Sequence, residues 1–157
     1  MAKTPELKLK EGDDAPDFTA FTNGGGRASL ADFKGRPVIL YFYPRDDTPG
    51  CTKEACAFRD HFGEFKKKGA VLLGVSTDAV KSHDKFVAKL KLPFTLLADE
   101  DKAIVQAYGV WGQKSFMGRK YLGTQRVTFL IGPDGKIKRI WPTVKPEEHA
   151  GEVLAAL

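Results

Sequence analysis

The sequence predicts an α/β sandwich on a mixed sheet, and three observations carry that reading. Pro37 to Tyr43 and Ala70 to Val75 are continuous apolar runs with the content of strands buried on both faces. Between them, Ala55, Phe58, Phe62 and Phe65 recur at helical spacing, so strand, helix and strand form a βαβ unit with parallel strands. Further on, Arg126 to Ile131 and Lys136 to Trp141 read as strands joined by Gly132-Pro133-Asp134-Gly135, an antiparallel hairpin by turn chemistry.

The other elements fit around this frame. Asp17 to Phe21 and Arg27 to Leu30 are short strand-like pieces, and Asn23-Gly24-Gly25-Gly26 reads as their hairpin turn. That glycine run is not read as a phosphate loop, because it lacks the Gly-Lys-Ser/Thr ending and no helix pattern follows. A helix is predicted over about Ala79 to Leu90, with Val80, Phe86, Val87 and Leu90 apolar and Pro93 as its stop. Thr95-Leu96-Leu97 is a short strand. Asp99 then reads as the N-cap of a helix reaching Tyr108 and ended by Gly109. The stretch from Trp111 to Phe116 reads as a loop, whose Trp111 and Phe116 line either a pocket mouth or an interface. The last helix starts near Pro146, with Glu147 and Glu148 in its first turn and Val153, Leu154 and Leu157 as its apolar side.

At 157 residues the chain is expected to form one domain, 1–157, with a core that needs no covalent staples. Its 25 basic and 20 acidic side chains leave a net charge of +5, spread too evenly to indicate nucleic acid or a membrane as partner. The longest basic run, Lys66-Lys67-Lys68, falls at a predicted helix end, where cations suit the dipole. No apolar run approaches the roughly 20 residues that span a bilayer. Met1 to Lys10 is polar and lysine-rich, without the apolar segment of a secretory leader. A cytoplasmic location is expected, and two cysteines in a reducing compartment point to chemistry rather than to a structural bridge.

That chemistry centres on Thr48-Pro49-Gly50-Cys51, between the first buried strand and its helix. Thr48 suits the N-cap and Pro49 the first helical position, which makes Cys51 the third helical residue. Its sulfur then lies near N–H groups without intrahelical acceptors and near the positive end of the dipole, which favours thiolate. Open α/β sheets place ligand sites at this carboxyl end of a strand. Positions 51, 55, 58, 62 and 65 share one face, so Cys51 is expected at the floor of a recess. Cys56 lies about 140° round the axis, with ideal Cα atoms roughly 8.7 Å apart. A disulfide needs less than about 7 Å, so a bond between the two requires the first turns to unwind.

Plainer readings stand beside this one. A free cysteine is most often a small core residue, and for Cys56 alone that reading is preferred. Zinc is not indicated, because the two cysteines lack ligand-spaced partners and His61, His83 and His149 are scattered. The Cys-x-x-x-x-Cys spacing also differs from the Cys-x-x-Cys of dithiol oxidoreductases.

Pro44-Arg45-Asp46-Asp47-Thr48-Pro49-Gly50-Cys51 matches the Pro-x-x-x-Thr-x-x-Cys signature of the peroxiredoxins. The longer stretch from Tyr41 to Asp60 resembles the Q-type branch, also called bacterioferritin comigratory protein. Gly74 to Asp78, Tyr108 to Gly112, Lys114 to Gly118 and Arg126 to Ile131 resemble it too, so the likeness covers nearly the whole chain in register. The resemblance implies a thioredoxin-like three-layer α/β/α sandwich with a mixed central sheet and an added N-terminal β-hairpin. It implies reduction of hydrogen peroxide and organic hydroperoxides, with no metal, haem or flavin. By the same resemblance, Cys51 is the peroxidatic cysteine that becomes a sulfenic acid. Cys56 is the resolving cysteine, and thioredoxin or a similar dithiol protein reduces the resulting disulfide. Thr48 contacts the attacking sulfur and a peroxide oxygen, Pro44 shields the site from water, and Arg126 holds the thiolate. An always-charged planar donor fits that last role, and backbone N–H groups of Gly50 and Cys51 fit that of holding the peroxide in line. Glu54 either orients Arg126 or is a surface helix glutamate. Seen alone, Arg126 is a strand-edge charge. An intramolecular resolver favours a monomer. Two other functions are weighed against the peroxidase: a thiol-disulfide oxidoreductase or redox sensor, and a non-catalytic thioredoxin-like binding module.

Overall fold

The computed structural model describes residues 7–157; of the polar stretch Met1 to Lys10, residues 1–6 lie outside the described residues. In chain order the elements are β1 (Thr19–Thr22), β2 (Arg27–Ser29), β3 (Val38–Phe42), α1 (Pro49–Asp60), α2 (Phe62–Lys67), β4 (Val71–Ser76) and α3 (Val80–Leu90). They continue with β5 (Thr95–Ala98), α4 (Ala103–Ala107), β6 (Trp111–Phe116), β7 (Arg119–Thr124), β8 (Val127–Ile131), β9 (Ile137–Trp141) and α5 (His149–Ala155).

The two apolar runs become β3 and β4, paired in parallel with Val38 opposite Val71, and every residue of both is buried. β5 adds to β4 in parallel, while β8 adds to the other side of β3 antiparallel. β9 pairs with β8, and the N-terminal hairpin of β1 and β2 joins through β1 to β5. The result is one seven-stranded mixed sheet in the order β2-β1-β5-β4-β3-β8-β9.

Strand alternation divides the core in two. Val38, Leu40 and Phe42 point to one face and pack with Ile104 and Val105 of α4 and with Tyr108. Ile39, Tyr41 and Tyr43 point to the other, toward Cys51, Ala55 and Phe58 of α1, Phe65 of α2, Phe86 of α3 and Val153 of α5. Full burial of each large apolar side chain contributes about 1.5–3 kcal/mol. Helices on both faces of a mixed sheet make the three-layer thioredoxin-like sandwich. Among the described residues, no helix is long and apolar enough to cross a membrane.

Several boundaries differ from those expected, each for a local reason. The helix expected to run through Phe65 breaks at His61 (φ −100°, ψ 3°), and α2 starts anew. The break keeps Phe65 buried but leaves Phe62 only half-buried, against Phe94 with ring centroids 6.3 Å apart. α3 is ended by the left-handed Lys91 (φ 54°, ψ 52°), two residues before Pro93. α4 begins at Ala103, not directly after Asp99, because the chain first turns through left-handed Lys102. Asp99 still caps that helix from a distance, accepting from the N–H groups of Ile104 (3.0 Å) and Val105 (2.8 Å). α5 begins at His149, three residues beyond Pro146. The expected loop from Trp111 to Phe116 is strand β6, paired with β7 as a separate two-stranded sheet through the positive-φ turn Met117-Gly118. Trp111 packs on the core, with the Lys102 ammonium 5.5 Å above its ring. The Phe116 side chain lies outside the described residues.

Gly74 is required by a close approach beneath α1. A Cβ there would lie 2.8 Å from Tyr41 Cζ and 2.7 Å from Leu96 Cδ2, both in the packed core. Gly74→Ala is expected to destabilise the fold by about 1–3 kcal/mol through overpacking, measured by urea unfolding. Unchanged stability would show that the Tyr41 ring has room to move.

Candidate active site

The antiparallel pairing of β3 with β8 places Phe42 opposite Val127. The end of β3 and the start of β8 therefore meet at one edge of the sheet. A loop from Tyr43 to Thr48 leads from β3 into α1, and Arg126 stands immediately before β8. Residues far apart in sequence are thus brought to one point. Arg126 Nη2 donates to Cys51 Sγ at 3.2 Å, and its Nη1 donates to Glu54 Oε1 at 2.6 Å. Gly50 admits the guanidinium, since a Cβ at that position would lie 3.1 Å from Nη2.

Cys51 is the third residue of α1 and only 1% exposed. Its sulfur lies in the first turn of a twelve-residue helix whose start has no side-chain cap. The backbone N–H groups of that turn have no intrahelical acceptor, and with the dipole they favour an anion. The Arg126 guanidinium adds a charged donor at bonding distance. Burial opposes its charge, but Glu54 and Cys51 outweigh that and hold its pKa above the ordinary arginine value.

Glu54, for which two readings were open, is wholly buried and pairs with Arg126; it is not a surface glutamate. Burial raises its carboxyl pKa, the charge and hydrogen bond of Arg126 lower it, and the balance lies at about 7. Thr48 occupies the N-cap position, and its carbonyl accepts from Thr52 N–H at 2.8 Å. Contrary to the expectation from its residue type, its side chain does not cap the helix but donates back to the Arg45 carbonyl at 2.9 Å. The hydroxyl lone pairs are thereby turned outward from that bond, available as acceptors. Pro44 is half-buried in the loop. Cys56 is half-buried on the same unbroken helix, and both thiols are free.

The loop is held by a buried cluster that the sequence did not reveal. Asp46 accepts from Tyr43 Oη (2.6 Å), Ser82 Oγ (2.8 Å) and His83 Nδ1 (2.7 Å). Its own N–H donates to Asp78 Oδ2 at 2.8 Å, which also accepts from Ser76 Oγ. The other His83 nitrogen, Nε2, contacts the Leu97 carbonyl at 2.8 Å. Both ring nitrogens thus face acceptors, as an imidazolium requires. Burial pushes His83 down, but the hydrogen bond and charge of Asp46 raise it above its ordinary value. Asp46 is pushed up by burial and lowered more by His83, Tyr43 and Ser82, so it stays below the ordinary carboxylate value. Potential ligand atoms of Asp46, Asp78 and His83 lie within 4.8 Å of one another, yet these hydrogen bonds already engage them. A sequence signal existed only in part: Asp46 lies in the motif, but Ser82 and His83 are on α3 and Asp78 is in the turn after β4. Lys114 of β6 is a second omission. Its ammonium donates to the Thr124 carbonyl at 3.1 Å, and it feels the charges of Arg126 and Cys51.

A recessed thiol at a helix start, gripped by a guanidinium on a thioredoxin-like frame, defines a cysteine-dependent redox enzyme. Comparison with known proteins narrows the class. The AhpC/TSA family pattern matches residues 11–140. The chain is 50% identical over 151 residues to the putative peroxiredoxin Bcp of Coxiella burnetii, across 96% of this chain and 100% of that one. The solved bacterioferritin comigratory protein of Xanthomonas campestris has a TM-score of 0.86 at 40% identity, covering 96% of both chains. A solved peroxiredoxin Q variant of Xylella fastidiosa reaches 0.89 at 36% identity, covering 94% of both. The chain belongs to the AhpC/TSA family, within its Bcp and peroxiredoxin Q branch. It is a thiol peroxidase.

The buried pair gives a pH test of the loop. Asp46, lowered below 3.8, stabilises the fold above about that pH and stops doing so as pH falls through its folded pKa. His83, raised above 6.5, contributes fully below about that pH and is lost as pH rises through its folded pKa. His83→Gln should therefore cost most between about pH 4 and 6.5, on the order of 3–5 kcal/mol because it leaves Asp46 buried without its cation. Urea unfolding of both proteins across pH checks this; a difference that does not vary with pH would reject the ion pair.

Proposed function

We propose that Cys51 is the thiolate that attacks the peroxide and Cys56 the thiol that resolves it. The contact of Arg126 Nη2 with the buried Cys51 Sγ at 3.2 Å carries this reading. The thiolate attacks one peroxide oxygen, the O–O bond breaks, and sulfur gives up two electrons to become a sulfenic acid. The other oxygen leaves and is protonated to water or an alcohol. Arg126 and the N–H groups of Gly50 and Cys51 stabilise the developing charge. Thr48 Oγ1, with its own proton directed to the Arg45 carbonyl, accepts a hydrogen bond from the peroxide O–H. Pro44 keeps water from the sulfur. Cys56 then attacks the sulfenic acid, releasing water and forming the disulfide, which a thioredoxin-type dithiol reduces by exchange. The Xanthomonas campestris relative is described as reducing alkyl peroxides, which supports organic hydroperoxides beside hydrogen peroxide as substrates.

Resolution requires α1 to open, and its composition favours that. From Gly50 to Ala57 the buried residues are Cys51, Glu54 and Ala55, and the first large apolar anchor is Phe58. Unwinding short of Phe58 forfeits little apolar burial. A resolver within the same helix needs no second chain, so the enzyme acts as a monomer, in the cytoplasm. A non-catalytic binding module would leave the Arg126 contact to sulfur without a task, and a redox sensor would use the disulfide but consume peroxide slowly.

Stopped-flow Trp fluorescence with hydrogen peroxide is expected to show a fast phase that Cys51→Ser abolishes. Oxidised Cys56→Ser should gather sulfenic acid by mass spectrometry and lose turnover with thioredoxin; unimpaired turnover would remove Cys56 from the cycle. Arg126→Lys should lower kcat/KM by about 10²–10³-fold through loss of the fixed donor. Amide exchange should be faster in residues 50–57 of the oxidised form than of the reduced one, and equal protection would rule out the opening.

A further inference from the structure

Arg126 faces two groups that can both be anions. Its Nη1 holds Glu54 Oε1 at 2.6 Å and its Nη2 holds Cys51 Sγ at 3.2 Å. Glu54 is 0% exposed, and its second oxygen, Oε2, is buried with no hydrogen-bond partner. With sulfur and carboxylate both ionised, one guanidinium would compensate two buried negative charges. An unpaired charge in such a place is driven to neutralise by taking a proton.

The remaining titratable groups nearby do not supply the missing cation. Tyr41 of β3 is a buried phenol held neutral, pushed up first by burial and then by Glu54 and Cys51. His149 of α5 is pushed down by burial, and it contacts Glu152 at 3.0 Å and Thr128 Oγ1 at 2.7 Å. Lys114 of β6 attracts the sulfur at longer range, while its ammonium is bonded to the Thr124 carbonyl.

We propose that Glu54 and Cys51 share a single negative charge against Arg126, the carboxyl keeping a proton while the sulfur is a thiolate. This rests on the reading of Cys51 as the attacking thiolate. In the resting site, Cys51 thiol with Glu54 carboxylate exchanges with Cys51 thiolate and Glu54 acid, one proton in either case. Attack forms the S–O bond, breaks the O–O bond and oxidises sulfur by two electrons. The leaving oxygen takes up one proton, and ionisation of Glu54 balances it. The sulfenic acid is neutral, so the guanidinium is now free for the new carboxylate. The site carries one negative charge beside one positive charge throughout. The carboxyl pKa of about 7 puts both protonation states within reach at neutral pH. Glu54 acts on sulfur through Arg126 and is a positioning residue.

The test uses the full reduced chain with Cys56 replaced by serine, so that a single thiol is read. Cys51 is titrated by ultraviolet thiolate absorbance and by the pH dependence of iodoacetamide alkylation, with and without Glu54→Gln. Glutamine keeps an oxygen for Arg126 Nη1 and carries no charge, like the protonated acid. The apparent Cys51 pKa is expected to fall by about one unit or more in the variant, giving about tenfold more thiolate below both values. An unchanged or raised pKa overturns the proposal. Slower alkylation at every pH with no movement of the pKa also overturns it, and marks Glu54 as a brace for Arg126 alone. Should Glu54→Gln not fold, carbon-13 NMR of the Glu54 carboxyl in Cys51→Ser gives the reciprocal measurement. Its pKa should fall by the same amount as the competing anion is removed, and no change overturns the sharing. Alkylation requires no peroxide. A Cys51 that titrates as expected but does not react with peroxide would reject the peroxidatic role of Cys51 and leave the shared charge in place.

Discussion

The contact between a buried sulfur and a buried guanidinium is the constraint around which the fold is arranged. A thiolate removed from water must be given fixed donors in return. The chain supplies them from two directions that only the sheet can bring together. Parallel β3 delivers the start of α1, with its unpaired N–H groups, to the carboxyl edge of the sheet. Antiparallel β8 begins at that same edge and delivers Arg126, 75 residues along the chain from Cys51. A sheet with β8 parallel to β3 would start that strand at the opposite edge. The mixed sheet is therefore a condition of the chemistry, and Gly50 is its local counterpart, since a side chain there would press on Nη2.

Rigidity and mobility are divided across Thr48. Before it, the loop is pinned by Asp46 to Tyr43, Ser82 and His83, and through its N–H to Asp78. These partners belong to the end of β3, to α3 and to the turn after β4, none of them to α1. After it, the first two turns of α1 bury one sulfur, one carboxylate and one methyl group. This segment has little apolar anchorage, so it is held chiefly by the tie of Glu54 to Arg126, while the loop that carries Pro44 and Thr48 has fixed partners on other elements. The same sequence neighbourhood thus sets a pinned loop beside a helix start with little apolar anchorage.

Local chemistry was legible in the sequence and long-range chemistry was not. Thr48-Pro49-Gly50-Cys51 announces a helix start because capping and proline preferences act over a few residues. β3 and β4 announce themselves by being apolar on both faces. Arg126, by contrast, looks like any strand-edge cation until the family motif is seen, because its partners are distant in sequence. The Asp46 and His83 pair was missed for the same reason, being 37 residues apart. β6 and β7 were missed because Gln113, Lys114, Arg119 and Lys120 give no apolar alternation, and the hairpin forms its own sheet without a core. The break at His61 preserves the burial of Phe58 and Phe65, so a periodicity argument cannot detect it.

Arg126, which favours the thiolate, also stands in the way of its resolution. Cys51 and Cys56 lie on one helix, and Glu54, between them, is tied to Arg126. A disulfide needs its Cα atoms within about 7 Å, so the segment between the cysteines must leave helical geometry. Moving that segment means moving Glu54, and stripping a buried charge of its partner costs about 3–5 kcal/mol. While the sulfur is a thiolate, Arg126 grips α1 at both residues 51 and 54, which keeps the pocket assembled for attack. Oxidation to a neutral sulfenic acid ends the charged grip at residue 51 and leaves Glu54, ionised in the same step, as the charged tie between the helix and Arg126. In the proposed cycle the hold of Arg126 on α1 passes from the sulfur to the carboxylate as the sulfur reacts, and the helix opens only when Glu54 releases the guanidinium.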